Sequence, residues 1–195
     1  MIRTLFLNPA NLLSIFRIFL SIPLFLSMNN IDNGSTLSDI YNFFFIFILI
    51  GLTDILDGFV ARKFGFASNI GKALDPIADK ICVFAALINL CVRFPEYFLI
   101  LFILILLRDL GISFVTIYFA KKKNLHFQSN KTGKLFIFFM GITVVLFIID
   151  IPAFNANSFY LSEVKLFSYY ATWLFFGLST YYYCRRYIRE YLREY

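Results

Sequence analysis

Asp54-Ile-Leu-Asp57-Gly58-Phe-Val-Ala61-Arg62, an eight-residue spacer, and Gly71-Lys-Ala-Leu-Asp75-Pro-Ile-Ala-Asp79 concentrate four carboxylates in the middle of an apolar chain. Each ionised group costs about 3 kcal/mol at the centre of a membrane helix by insertion scales, so the stretch demands a compensating partner. The surroundings are those of a membrane protein. Of 195 residues, 60% are hydrophobic and 15% charged, and 27 Phe with 12 Tyr supply much of the bulk. A soluble domain carries about 25% charged residues. No Pro-, Gly- or Ser-rich linker divides the chain, which reads as one domain over residues 1–195.

Outward from this stretch, the chain breaks into spans. A membrane-crossing helix needs about 20 mainly apolar residues. Six segments qualify: Leu12–Met28, Tyr41–Val60, Gly71–Val92, Tyr97–Ala120, Leu135–Ile149 and Val164–Cys184. They predict an all-α membrane protein, a bundle of six transmembrane helices. The fifth begins nearer Thr132, and the third carries Asp75 and Asp79 before its apolar run Ile81–Val92. The first contains Arg17 and lacks a small-residue cleavage site, so it reads as a retained anchor.

Charge in the connections orients the bundle. One side receives Arg3, Arg62, Lys63, Lys72, Lys80, Lys121–Lys123, Lys131, Lys134, Arg185, Arg186, Arg189 and Arg193, against Arg93 and Lys165 on the other. The positive-inside bias therefore predicts both termini, and the Asp-rich connection, in the cytoplasm. The net charge of +6 follows from this asymmetry and favours anionic lipid headgroups. No groove-reading motif accompanies the cations, which argues against a nucleic-acid partner. The Arg185–Arg193 run reads as a snorkelling interfacial helix. Cys82, Cys91 and Cys184 lie in apolar segments without CxxC pairing and read as free thiols, and the single His126 reads as a solvated loop residue.

Asp54, Asp57, Gly58 and Ala61 fall at i, i+3, i+4 and i+7, one helical face; Gly71, Asp75 and Asp79 repeat at i+4 on the next helix. A short turn around Phe64–Asn69 predicts antiparallel neighbours, and Gly58, Ala61, Gly71 and Ala78 permit close backbone approach. Four converging carboxylates repel, and some take up protons unless a cation intervenes. Oxygen ligands without His or Cys favour Mg²⁺ or Mn²⁺. Mg²⁺ usually shares its shell with substrate phosphates, which implies a phosphorylated substrate, and Arg62 is placed to pair with phosphate oxygens. Pro76 sits near a helix start, where its missing N–H costs little.

The stretch resembles the signature of the CDP-alcohol phosphatidyltransferases, Asp-x2-Asp-Gly-x2-Ala-Arg-x8-Gly-x3-Asp-x3-Asp, and meets it at every fixed position. Pro9-Ala10-Asn11-Leu-Leu-Ser14-Ile-Phe-Arg17 is similar to the Asn-x-x-Ser/Thr-x-x-Arg opening of the family's first helix. The resemblance implies transfer of a phosphatidyl group from CDP-diacylglycerol to an alcohol, with release of CMP, in phospholipid biosynthesis. It implies that Asp54, Asp57 and Asp75 ligate two metal ions, with Asp79 completing the site as ligand or as general base towards the acceptor hydroxyl. Gly58 and Gly71 leave room for cytidine and diphosphate, Arg62 neutralises phosphate, and Asn11 belongs to the nucleotide pocket. The setting implied is a bacterial-type cytoplasmic (inner) membrane, with the active site facing the cytoplasm and a possible homodimer.

For the acceptor, Leu74-Asp75-Pro76-Ile-Ala78-Asp79-Lys80 looks like the variant common in phosphatidylglycerophosphate and cardiolipin synthases. Arg108, Lys131 and Lys134 form a second basic set for an anionic acceptor, and Ser129-x3-Gly133-Lys134 resembles a family element there. Glycerol 3-phosphate is the expected acceptor. Phosphatidylglycerol is the alternative, because Asp109 and Phe136–Phe139 stand where the glycerol-phosphate enzymes carry Glu and polar residues. Arg108-Asp109 also admits a purely structural reading as a self-neutralising pair. A divalent-cation transporter is the rival class, opposed by Arg62 and Lys80 beside the carboxylates; an aspartate-rich prenyltransferase requires a longer chain.

Overall fold

The computed structural model describes residues 9–32, 34–64, 71–123, 131–151 and 159–192, with side chains left out at 9–10, 58, 60–64, 71–76, 117–123, 131, 159 and 190–191. Among the described residues there are six helices and no strand: α1 (Pro9–Asn30), α2 (Leu37–Phe64), α3 (Gly71–Arg93), α4 (Pro95–Lys123), α5 (Lys131–Ile149) and α6 (Phe159–Leu192). The all-α reading and the helix count both hold. Four helices are long and apolar enough to cross a membrane, over Asn11–Asn30, Leu37–Asp57, Pro95–Thr116 and Thr132–Ile149. The other two are more polar. Lys72, Asp75, Asp79 and Lys80 occupy the first turns of α3, and Tyr, Ser and Thr interrupt the apolar run of α6.

The helices gather into two units, α1–α3 and α4–α6. In the first, α1 packs extensively against both α2 and α3. Its buried face repeats at three- and four-residue intervals through Asn11, Ser14, Arg17, Ser21, Leu24 and Met28, as a helix contact stripe must. The stripe is polar in its first half and apolar in its second. Ala78, Cys82 and Ala86 form the answering buried stripe of α3, small enough for close approach. Cys82 is a free thiol whose Sγ lies 3.3 Å from the Arg17 carbonyl. At the far end Arg93 closes the unit, donating to the Asn29 carbonyl at 2.8 Å and to the Ile31 carbonyl. These carbonyls, at and just beyond the end of α1, lack acceptor work within the helix.

Pro23 lies inside α1 without ending it. A membrane helix tolerates the lost N–H because neighbouring groups re-satisfy the backbone. Outside the stripe, Phe19, Ile22, Tyr41 and Phe45 are exposed, which suits a hydrocarbon surround rather than water.

In the second unit α6 packs along α5. Thr143 joins the two through hydroxyl contacts to Ser168 (3.2 Å) and Thr172 (2.9 Å), all three buried. Such contacts bind helices in lipid, where burial of oil against oil gives no drive. Phe139 stacks on Phe175 at 4.8 Å, and Phe98, Phe147 and Tyr169 form an edge-to-face cluster. Lys165 pairs with Asp150 over the Phe147 ring. Helix α6 runs on unbroken to Leu192, so the basic run from Arg185 continues the sixth helix. No Gly or Pro interrupts it after Gly177. At 34 residues it is about 51 Å long, well beyond a hydrocarbon core of about 30 Å.

Candidate active site

The polar half of the α1 stripe faces the aspartates of α2 and α3. Asp54 and Asp57 stand one helical turn apart on α2, and α3 carries Asp75 and Asp79 one turn apart near its start. Because α2 ends where α1 and α3 begin, all three helices bring their charged ends to one place. The arginine on α1 is the centre of the arrangement. Arg17 is only 1% exposed. Its Nη1 lies 2.9 Å from Asp54 Oδ1 and also contacts Asp79 Oδ1, while its Nη2 contacts Asp57 Oδ2. A guanidinium presents a planar fork of donors, which is why one arginine can serve carboxylates from two helices.

The three carboxylates are not equivalent. Asp57 is 6% exposed, whereas Asp54 and Asp79 are 57% and 47% exposed. Asp57 is therefore the interior anchor, and the other two open outward. One guanidinium balances only one of these three charges. Asn11 and Ser14, both fully buried, precede Arg17 on the same face by one and two turns. Buried Thr53, beside Asp54, bonds the Ile50 carbonyl at 2.8 Å.

The predicted pairing of α2 directly with α3 is thus replaced by a junction through α1. The two aspartate helices each pack on α1 and share its arginine. Arg17 was absent from the expected site residues. Its signal was legible, since an arginine inside an apolar span requires a counter-charge and the nearest carboxylates in the chain are these. The side chains of Gly58, Arg62, Gly71, Asp75 and Lys131 lie outside the described residues.

A hard divalent cation suits the chemistry of this donor set: oxygen-only, clustered, and more negative than its single arginine can neutralise. Among the described residues no three candidate ligands surround a point where a metal ion would sit. Asp54, Asp57 and Asp79 surround the Arg17 guanidinium instead.

The expected acceptor residues belong to the second unit. Lys134 is exposed near the start of α5. Arg108 is committed to its surroundings: Nε and Nη2 bond Asp109 Oδ1 at 2.9 and 2.8 Å, and Nη1 bonds Ser179 Oγ at 3.1 Å. Its guanidinium carbon lies 4.7 Å above the Phe136 ring and 5.1 Å from that of Phe176. This is a pinned arginine tying α4 to α5 and α6.

The sequence profile of the CDP-alcohol phosphatidyltransferase family matches residues 7–179, a range that takes in all four aspartates, Asn11 and Arg17. The chain belongs to that family. Several relatives carry the name CDP-diacylglycerol–glycerol-3-phosphate 3-phosphatidyltransferase. The one from Mycoplasma pneumoniae is 31% identical over 183 residues, covering 83% of this chain and 80% of the relative. The one from Aquifex aeolicus is 29% identical over 178 residues, covering 89% and 96%. The one from Bacillus subtilis is 32% identical over 121 residues, covering 62% of each. Family membership and the apolar helices together make this an integral membrane protein.

Proposed function

We propose that this chain transfers the phosphatidyl group of CDP-diacylglycerol to glycerol 3-phosphate, releasing CMP and forming phosphatidylglycerophosphate. The observation that carries the reading is the meeting of Asp54, Asp57 and Asp79 at one point of a three-helix unit, in a member of this family. The relatives named as glycerol-3-phosphate phosphatidyltransferases supply the acceptor.

Asp54, Asp57 and Asp75 would hold two Mg²⁺ or Mn²⁺ ions, with Asp79 as ligand or base. Bound metal supplies charge neutralisation on the diphosphate and on the departing nucleotide. The residues of the chain do the rest. Asn11, Gly58, Arg62 and Gly71 hold the CDP headgroup. Asp79, half-exposed at the rim, takes the proton of the acceptor hydroxyl as its oxygen attacks the phosphatidyl phosphorus. The bond from that phosphorus to the CMP oxygen breaks, and CMP leaves. Lys131 and Lys134 meet the phosphate of the acceptor. Arg108, whose donors already serve Asp109 and Ser179, acts in that pocket as a positioning residue. The site and both termini face the cytoplasm in a bacterial-type inner membrane, by the asymmetry of the basic residues. All six helices span it, and two copies form the assembly.

The test is CMP release by purified protein with CDP-diacylglycerol and Mg²⁺, comparing glycerol 3-phosphate with phosphatidylglycerol. Turnover with glycerol 3-phosphate is expected. Turnover with phosphatidylglycerol alone refutes the acceptor assignment and makes the product cardiolipin. CMP release with neither acceptor refutes both.

A further inference from the structure

The arginine at the centre of the site meets the same carboxylates that the proposed function assigns to divalent metal. Arg17 contacts Asp54, Asp57 and Asp79, and among the described residues no other cation is recorded in an ion pair with any of them. A guanidinium and a divalent ion repel, and both require the same oxygens. Nor is Arg17 fully committed. Its Nε is buried without a hydrogen-bond partner, so the fork is held by its carboxylate contacts alone.

We infer that Arg17 is an internal counter-ion that exchanges with metal. In the metal-free protein the guanidinium gathers Asp54, Asp57 and Asp79 and keeps them ionised against one another. Metal loading displaces Nη1 from Asp54 and Asp79, the two carboxylates that open outward, while Nη2 keeps its contact with buried Asp57. Helix α1 thus reports metal occupancy to both helices packed on it. This inference rests on the reading of the aspartates as metal ligands.

The alternative is that Arg17 is a fixed supporting residue that orients the ligands, and the two accounts predict opposite signs. Loss of a supporting partner typically weakens metal affinity 10–100-fold. Loss of a competing cation tightens it, because the same carboxylates then face the metal without a rival charge. The experiment is Mn²⁺ binding to purified full-length protein in detergent, followed by the electron paramagnetic resonance signal of free Mn²⁺. The proteins compared are the wild type, Arg17→Gln, Arg17→Lys and Asp57→Asn. Exchange predicts that Arg17→Gln binds Mn²⁺ about tenfold more tightly than the wild type, with a larger rise in melting temperature on saturation. Arg17→Lys, with one ammonium in place of the fork, falls between them.

Equal or weaker binding by both Arg17 variants overturns the exchange and leaves the metal reading standing. No Mn²⁺ uptake by the wild type, or uptake unchanged in Asp57→Asn, overturns the metal reading and the exchange with it. Should Arg17→Gln fold only with Mn²⁺ present, it is prepared loaded and its affinity read by chelator competition. Arg17→Lys provides the same comparison, tighter supporting the exchange and equal or weaker opposing it.

Discussion

Replacing Arg108 by Met separates two readings of a charge inside an apolar helix. The substitution keeps a long apolar stem but removes three hydrogen bonds, two to Asp109 and one to Ser179, and two ring contacts, with Phe136 and Phe176. The pair is largely but not wholly buried, at 12% and 16% exposure. Breaking such a pair by removing one partner costs about 3 kcal/mol, the low end for a buried ion pair. In a chain of this size that lowers the melting temperature by about 6–12 °C. Removing both charges in Arg108→Met/Asp109→Leu behaves differently. No carboxylate is stranded, Ser179 still bonds the Phe176 carbonyl at 3.0 Å, and the loss reduces to ring contacts of about 1 kcal/mol. Thermal unfolding of detergent-solubilised protein gives the first number, and the KM for glycerol 3-phosphate gives the second. The double variant is expected to recover most of the stability with its KM close to wild type. A double variant as unstable as the single refutes the ion-pair account. Recovered stability with a KM raised tenfold or more makes Arg108 an acceptor ligand after all.

Three further outcomes are expected. Asp79→Asn abolishes CMP release while the helical circular dichroism persists; turnover near wild type removes the base assignment. Chelation of divalent ions abolishes turnover, and Mg²⁺ or Mn²⁺ restores it while Ca²⁺, with its longer bonds and looser shell, does so poorly. Arg93→Met withdraws donors from the carbonyls of Asn29 and Ile31 and costs about 1–3 kcal/mol of stability, with kcat unchanged because Arg93 lies at the opposite end of α3 from Asp79.

Much of this was legible in the sequence because membrane helices obey simple rules. Long apolar runs such as Leu135–Ile149 have few alternatives to helix in lipid, and the aspartate spacing fixes which residues share a face. What the spacing could not give was the partner of those faces. Local periodicity ties Asp54 to Asp57 but says nothing about which helix they meet, and the short connection between α2 and α3 suggested the wrong intermediary. Arg17 lies 37 residues from Asp54 and 62 from Asp79, so the contact is tertiary. Arg108 illustrates the converse. An intramembrane arginine reads as a substrate ligand until Asp109, Ser179 and two phenylalanines are found to use its donors and faces. Only the Asp109 contact was visible as adjacency.

A buried arginine among aspartates also explains why site and fold share a helix. The carboxylates must be present before any substrate or metal arrives, and a membrane chain cannot leave them to water. A mobile counter-ion would serve in solution, where screening is effective. In a three-helix unit with Asp57 6% exposed, the compensating charge has to come from the chain itself. Placing it on α1, the helix that touches both others, lets one guanidinium neutralise part of the site and join α2 to α3 in the same act. It follows that substitutions at Arg17 move stability and activity together, and a loss of turnover there identifies neither role. Asp79, at the half-exposed rim, is the position where the two can be read apart.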